Sequence, residues 1–233
     1  MKRSEKTHAT LDRRHAAAKS RKAMSVLRDF VVSGEADLLD IGTGSGAIAH
    51  ELSRHFPSVT SVDVDDERIV SGSYRFVRVR DAVLPFADRS FDVVLSNHVI
   101  EHMPEQREHL REVHRVLRDG GVCYLATPNR YWFIETHFRL PLLSWLPAPF
   151  ANVVTRIVRG REYDIHPLSF RKLRDLARDF EVIDVASEVI RDPERYRLDV
   201  MKLIQPLVRR LPGPVLRMLR FLYPTFIVIL RKR

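Results

Sequence analysis

Residues 38–46, Leu-Leu-Asp-Ile-Gly-Thr-Gly-Ser-Gly, decide the fold. The apolar run reads as a buried strand, and the alternating glycines Gly42, Gly44 and Gly46 break it into a turn that opens a helix. A residue without Cβ takes positive φ readily and lets a ligand approach the backbone closely. Unpaired N–H groups at the start of the next helix favour an electronegative ligand. An acid, Asp40, stands just inside the strand end, and Thr43 and Ser45 separate the glycines.

Outward from this turn the pattern alternates. Residues 45–56 read as a helix ending before Pro57, and residues 58–64 (SVTSVDV) as a second strand dense in β-branched residues. Residues 75–82 and 90–97 read as third and fourth strands, 104–117 as a helix closed by Asp119-Gly120-Gly121, and 121–128 as a fifth strand. Helical spacing also marks residues 11–33. Strands alternating with helices predict an α/β, Rossmann-like three-layer sandwich with ligands beyond the carboxyl ends of the strands.

Beyond Pro128 the rhythm changes. Residues 129–165 are rich in aromatics and prolines and read as a lid insertion. The alternation resumes with a helix at 166–180, for which Ser169 is the candidate N-cap, and a strand at 181–190. Residues 195–222 are an amphipathic helical insertion broken by Pro206, Pro212 and Pro214, and 223–231 read as the last strand. The chain is thus expected to be one domain over 1–233, with its core at 34–128 and 165–190. Its sheet is expected to be seven-stranded and mostly parallel, with an antiparallel last strand.

Charge is unevenly placed within a net +9. The first 33 residues carry nine Lys or Arg against three acids, and residues 191–233 carry eleven against three, which leaves an acidic body between basic ends. That arrangement differs from a uniformly basic nucleic-acid binder and suits contact of the ends with an anionic surface. The single cysteine, Cys123, allows no internal disulfide and fits a reducing, cytoplasmic setting. No secretory h-region and no run of about 18 apolar residues is visible.

Spacing then separates ligand classes. A dinucleotide-binding turn carries GxGxxG, whereas this chain has GxGxG. Asp63 lies 21 residues after Gly42, at the end of the second strand, where an acid can accept hydrogen bonds from both ribose hydroxyls. Asp65, Asp66 and Glu67 suit an acidic helix start instead. Residues 80–103, RDAVLPFADRSFDVVLSNHVIEHM, follow the pattern D-A-x-x-LPF-x-D-x-SFD-x-V, and REVHRVLRDGG follows at 111–121. Together these residues resemble the class I S-adenosylmethionine-dependent methyltransferases. They are similar to the methyltransferase type 11 family, which includes ubiquinone and menaquinone biosynthesis enzymes.

The resemblance implies S-adenosylmethionine as cofactor, bound by Asp40, Gly42, Thr43, Gly44, Gly46, Asp63, Val64, Asp81, Ala82 and Asn97. Asp81 would take the adenine amino group, and Asn97 the methionine part through its backbone. It also implies methyl transfer to oxygen or carbon of a small or lipid-linked acceptor. Leu84 and Phe86 would cover the cofactor edge, and Phe91 would pack under the sheet.

A general base is needed where the acceptor carries a hydroxyl. His98 and His102 are the candidates; four residues apart, they would share a face if the segment were helical. Some quinone O-methyltransferases hold a divalent metal near an EH pair preceded by two acidic positions. This chain keeps Glu101-His102 but has His98 at the earlier acidic place, so no metal is assigned. In the insertion, Tyr131, Trp132, Glu135 and His137 are the expected acceptor pocket, with Phe133, Phe138 and Trp145 beside them. Leucines and cations over 200–222 suit peripheral contact with the inner face of an anionic membrane, or else packing on the protein's own core. Competing readings are a nicotinamide-dependent oxidoreductase, a non-catalytic scaffold of the same fold, and a nucleic-acid methyltransferase, against which SNHV stands where an NPPY-type tetrapeptide would be.

Overall fold

The computed structural model describes residues 13–192 and 205–233. Its chain order is α1 (Arg13–Leu27), β1 (Asp37–Ile41), α2 (Ala47–Leu52), β2 (Ser58–Asp63), β3 (Arg75–Arg78), β4 (Phe91–Asn97), α3 (Gln106–Val116) and β5 (Leu117–Pro128). There follow α4 (Ala148–Arg159), α5 (Phe170–Leu176), β6 (Phe180–Asp184), α6 (Ala186–Arg191), α7 (Gln205–Arg210), α8 (Gly213–Met218) and β7 (Thr225–Lys232). The sheet has seven strands in the order β3-β2-β1-β4-β5-β7-β6. β1 through β5 pair in parallel, and β7 runs antiparallel to both β5 and β6. The expected architecture is therefore the observed one.

Side-chain alternation along each strand builds the two outer layers. Leu38, Leu95, Tyr124 and Ile229 face α1, α2 and α6, packing on Leu27, Leu52 and Val189. Leu39, Val94, Cys123 and Leu230 face the other way, onto Leu110 and Val113 of α3 and Leu173 of α5. β1 is buried almost throughout because it lies in the middle of the sheet, while the short edge strand β3 ends in the exposed Arg75 and Arg78. Burial in an apolar layer pushes the Cys123 thiol pKa upward, so this cysteine is a packing residue.

Three expectations change. Residues 186–190 form the start of α6 rather than the end of a strand: β6 stops at Asp184, whose carboxylate accepts the Ala186 N–H at 3.1 Å and turns the chain into a helix. The apolar spacing there serves a helix face. The insertion is no bare lid, since it contains α4 and a core of its own from Phe138, Leu143, Ala151 and Ile165. The basic end of the chain is not all solvated either, because Lys232 is buried and donates to the Leu117 carbonyl at 2.8 Å. Ser169 does cap α5, accepting the Lys172 N–H at 3.2 Å. Residues 195–204 of the expected amphipathic insertion, and Leu11, lie outside the described residues.

Because the insertion has a separate core, Leu143→Ala is expected to loosen it alone. The truncation costs about 2–5 kcal/mol at a fully buried leucine. Hydrogen exchange should show amides of 138–165 losing protection while β1 and β4 keep theirs; equal loss in the sheet would contradict a separate core.

Candidate active site

The β1–α2 turn is held from below by Gly42 and Thr43, whose N–H groups donate to the Val62 carbonyl at 2.9 and 3.2 Å. Gly42, Gly44 and Gly46 all have positive φ, yet they do different things. A Cβ on Gly42 would lie 2.5 Å from Val99 Cγ2, and one on Gly46 would lie 2.2 Å from the Tyr74 hydroxyl. One on Gly44 would meet nothing within 4 Å. Gly42 and Gly46 thus allow close packing inside the protein, and Gly44 is the glycine that faces open space.

Asp63 secures that turn. Its Oδ2 accepts the Gly44 N–H at 2.8 Å and its Oδ1 the Val64 N–H at 2.7 Å. Each carboxylate oxygen keeps a lone pair for a further donor. Asp65 and Asp66 instead pair on the surface with Arg78 and Arg68. Beneath the turn, Asp40 is fully enclosed and its Oδ2 has no hydrogen-bond partner; Thr43 Oγ1 lies near it, also unpartnered. Burial pushes the Asp40 pKa up to about 7; Thr43 opposes the rise, and the Asp63 charge adds a smaller contribution to it.

Asp81 folds back on its own loop, accepting the Val83 N–H at 2.9 Å, with Ala82 half-buried beside it. The LPF loop that follows is fastened to α3 by two residues that sequence reading missed. Glu112 accepts the Leu84 N–H at 2.8 Å, and Arg115 donates to the carbonyls of Phe86 and Leu84 at 2.7 and 2.9 Å. Leu84 and Phe91 lie in the core under the sheet, and Phe86 packs edge-on to Phe91 at 5.1 Å. Asn97 ends β4 in register with Ala126 of β5.

The next residues depart from expectation. Residues 98–102 form no α-helix; His98 has φ 59° and Ile100–His102 form a single 3-10 turn, so His98 and His102 do not share a helix face. Between them lies Glu101, fully buried. Its Oε1 is 3.1 Å from His98 Nδ1 and its Oε2 accepts the Thr127 hydroxyl at 3.1 Å. Burial alone would raise the Glu101 pKa, but the hydrogen bond and charge of His98 outweigh it and hold the group below the ordinary glutamate value. The ring of His102, an exposed residue, stands edge-on to His137 at 5.0 Å.

His137 comes from the insertion. Its Nε2 is 4.0 Å from Glu101 Oε1, and its Nδ1 is 3.0 Å from Glu135 Oε1. Glu135 is itself buried and accepts the backbone N–H groups of His137 and Phe138. The expected pocket residues therefore divide. Glu135 and His137 face the Glu101 cluster, while Tyr131 packs edge-on to Trp145 at 6.4 Å on an exposed outer side. Trp132 is half-buried, its N–H donating to the Asn129 carbonyl at 3.0 Å. Asn129, also missed, donates from Nδ2 to the Phe221 and Tyr223 carbonyls at 3.0 and 2.8 Å and so ties the start of the insertion to the turn before β7. Ligand atoms of Glu101, His102 and His137 lie within 4.8 Å of one another, a spacing one divalent cation could bridge, although no metal was assigned from sequence.

Comparison with known proteins places these residues in context. A family model for a methyltransferase domain matches residues 39–125. The chain is 32% identical over 180 residues to the ubiquinone/menaquinone biosynthesis C-methyltransferase of Desulfotalea psychrophila, covering 68% of this chain and 72% of that protein. It is 33% identical over 199 residues to the ubiquinone biosynthesis O-methyltransferase of Paramagnetospirillum magneticum, covering 74% and 77%. An S-adenosylmethionine-dependent methyltransferase structure from Mesorhizobium loti superposes with a TM-score of 0.62 at 16% identity, covering 92% of this chain and all of that one, a likeness of fold.

Asp40 gives the site a pH signature. Its folded pKa is raised, so between the unfolded value near 3.9 and about 7 the folded state holds a proton that the unfolded chain has released. Stability of the ligand-free protein should fall as pH rises through that window and then level. Urea midpoints of the wild type relative to Asp40→Asn should show this decline; parallel curves for the two would rule it out.

Proposed function

This chain belongs to the S-adenosylmethionine-dependent methyltransferase family, and we propose that it methylates a hydroxyl oxygen or an activated ring carbon of a lipid-linked, quinone-type acceptor. The observation that carries this reading is the insertion between β5 and α5. It starts at the strand ends with Asn129 and returns to them at His166, whose N–H donates to the Glu101 carbonyl at 2.7 Å. Its inner side presents His137, and its outer side presents apolar groups to solvent. On α4, Phe150, Val153 and Ile157 follow one another at helical spacing on the outer face, Ile157 being 79% exposed. Met218, Phe221 and Leu222, joined to the insertion through Asn129, are exposed as well. Arg156, Arg159, Arg217 and Arg220 flank these groups. Apolar stems ringed by guanidinium groups suit the headgroup region of an anionic bilayer, where a lipid-linked acceptor would be met. No helix among the described residues is long and apolar enough to cross a membrane.

The residues present fit the cofactor. The unpartnered Asp40 oxygen beneath the turn suits an ammonium group, which would relieve its burial as a bare acid. The open face of Gly44 suits close approach of the methionine part. Asp63 would accept from ribose hydroxyls with its remaining lone pairs while Val64 borders the sugar. Asp81 and Ala82 would border the adenine, and Asn97 the methionine backbone. His98, held by Glu101, and His102 line the acceptor side of the same strand ends. The cofactor supplies the methyl group, and the protein supplies alignment and a dry site.

Labelled-methyl transfer from S-adenosylmethionine into a lysate split into lipid, soluble and macromolecular fractions tests the acceptor class, and label should enter the lipid fraction. Label confined to the macromolecular fraction would refute it. In calorimetry, S-adenosylhomocysteine should bind and NADH should not. Asp63→Ala, which loses both the ribose acceptor and the Gly44 N–H bond, should weaken binding about ten-fold or more; unchanged affinity would refute the assignment. The full-length protein should sediment with phosphatidylglycerol vesicles at low salt, and Phe150→Asp with Ile157→Asp should release it. Equal sedimentation of the double variant would remove α4 from the contact.

A further inference from the structure

We propose that His137 is the general base for the acceptor hydroxyl and that Glu135 is the residue that positions it. The inference rests on the reading of an acceptor with an ionisable hydroxyl. Its support is geometric. Glu135 accepts two consecutive backbone N–H groups, from His137 at 2.8 Å and Phe138 at 2.5 Å, so its carboxylate is fixed where it sits. The His137 ring, 15% exposed, then meets that carboxylate through Nδ1 at 3.0 Å. A carboxylate only accepts, so Nδ1 carries the ring proton and Nε2 holds a bare lone pair.

That lone pair faces the floor of the site. Glu101 Oε1 is 4.0 Å away, too far for a hydrogen bond, and the His102 ring stands edge-on to His137 at 5.0 Å. A proton reaching Nε2 therefore creates a cation lying between two buried carboxylates, Glu101 and Glu135. His98 makes the same kind of contact, Nδ1 to Glu101 at 3.1 Å, but it stands at the end of β4 rather than on the insertion that borders the acceptor. The base thus arrives with the insertion that also borders the acceptor.

The step balances without a further reagent. The acceptor O–H bond breaks, its proton forms an N–H bond with the Nε2 lone pair, and the electron pair remains on the acceptor oxygen or, through conjugation, on the adjacent ring carbon. When bound, S-adenosylmethionine provides the methyl carbon for that pair, and its sulfur keeps the electrons of the bond that breaks. The proton on Nε2 then leaves to water, and where carbon is methylated the proton of that ring carbon is transferred to the oxygen, which restores the hydroxyl.

The test joins a spectroscopic arm to a kinetic one. In protein labelled with ¹⁵N-histidine and saturated with S-adenosylhomocysteine, His137 should show a protonated Nδ1 and a bare Nε2, and Glu135→Gln should shift the proton between the two nitrogens. A proton on Nε2 in the wild type overturns the proposal with no acceptor present. In the lipid-fraction assay, His137→Gln should lower kcat about 10²-fold or more with little change in KM, and Glu135→Gln should lower it less. Unchanged S-adenosylhomocysteine affinity and thermal melting would show that both variants fold. Normal wild-type transfer with an unimpaired His137→Gln overturns the base, whereas no lipid labelling by the wild type overturns the acceptor reading instead. One equivalent of Zn²⁺ bound tightly by the wild type and lost in His137→Gln would also overturn it, making the cluster a cation site.

Discussion

A carboxylate with no exposure to water, that of Glu101, is the constraint around which the carboxyl end of the sheet is organised. An unpaired buried charge costs several kcal/mol or more, so every segment near it must supply a partner or stay clear. His98 reaches it from the end of β4, Thr127 from β5, and the Glu101 carbonyl takes the N–H of His166 where the insertion returns. Lys19 of α1 is close enough to feel its charge, although burial still holds the lysine pKa below its ordinary value. His98 pays the local cost: a left-handed backbone at a residue with Cβ is unfavourable by about 1–2 kcal/mol, and the bond to Glu101 offsets it.

The cofactor turn and this cluster are one packed unit. Val99, between His98 and the 3-10 turn, occupies the space that a side chain at position 42 would need. The glycine that makes the β1 turn possible is therefore also the glycine that lets the β4 end approach it. Asp63 closes the arrangement from the other side by holding the Gly44 N–H. The β1 turn and the Glu101 cluster thus meet in van der Waals contact within a few residues.

Most of the fold could be read from the chain, because strands buried on both faces leave continuous apolar runs and helices leave a 3.6-residue period. The α6 segment reads as strand for a physical reason: apolar residues in Val-Ala-Ser-Glu-Val-Ile fit either period, and the Asp184 carboxylate that accepts the Ala186 N–H turns the chain out of β6. The glycine turn, Asp40 inside the end of β1 and Asp63 at the end of β2 were legible since strand ends and turns are local patterns. Glu112, Arg115 and Asn129 were not legible as structural pins. The groups they hold lie far along the chain, as with Glu112 and Leu84 or Asn129 and Tyr223, and nothing local marks a carboxylate or amide as buried. His98 and His102 would share a face on a helix, but the positive φ of His98, beside its bond to Glu101, keeps the segment from forming one.

The insertion shows how one segment can serve two demands without conflict. Phe138, Leu143, Ala151 and Ile165 give it a private core, so its inner and outer sides are separated by packed side chains rather than by a loop's thickness. The inner side carries Glu135 and His137 in fixed geometry; the outer side carries Phe150, Val153 and Ile157, which are exposed. The β1 turn draws on neither side: Gly42 packs on Val99, Gly46 on Tyr74, and the Gly44 N–H is held by Asp63. What the insertion presents can therefore change without disturbing the turn that decides the fold.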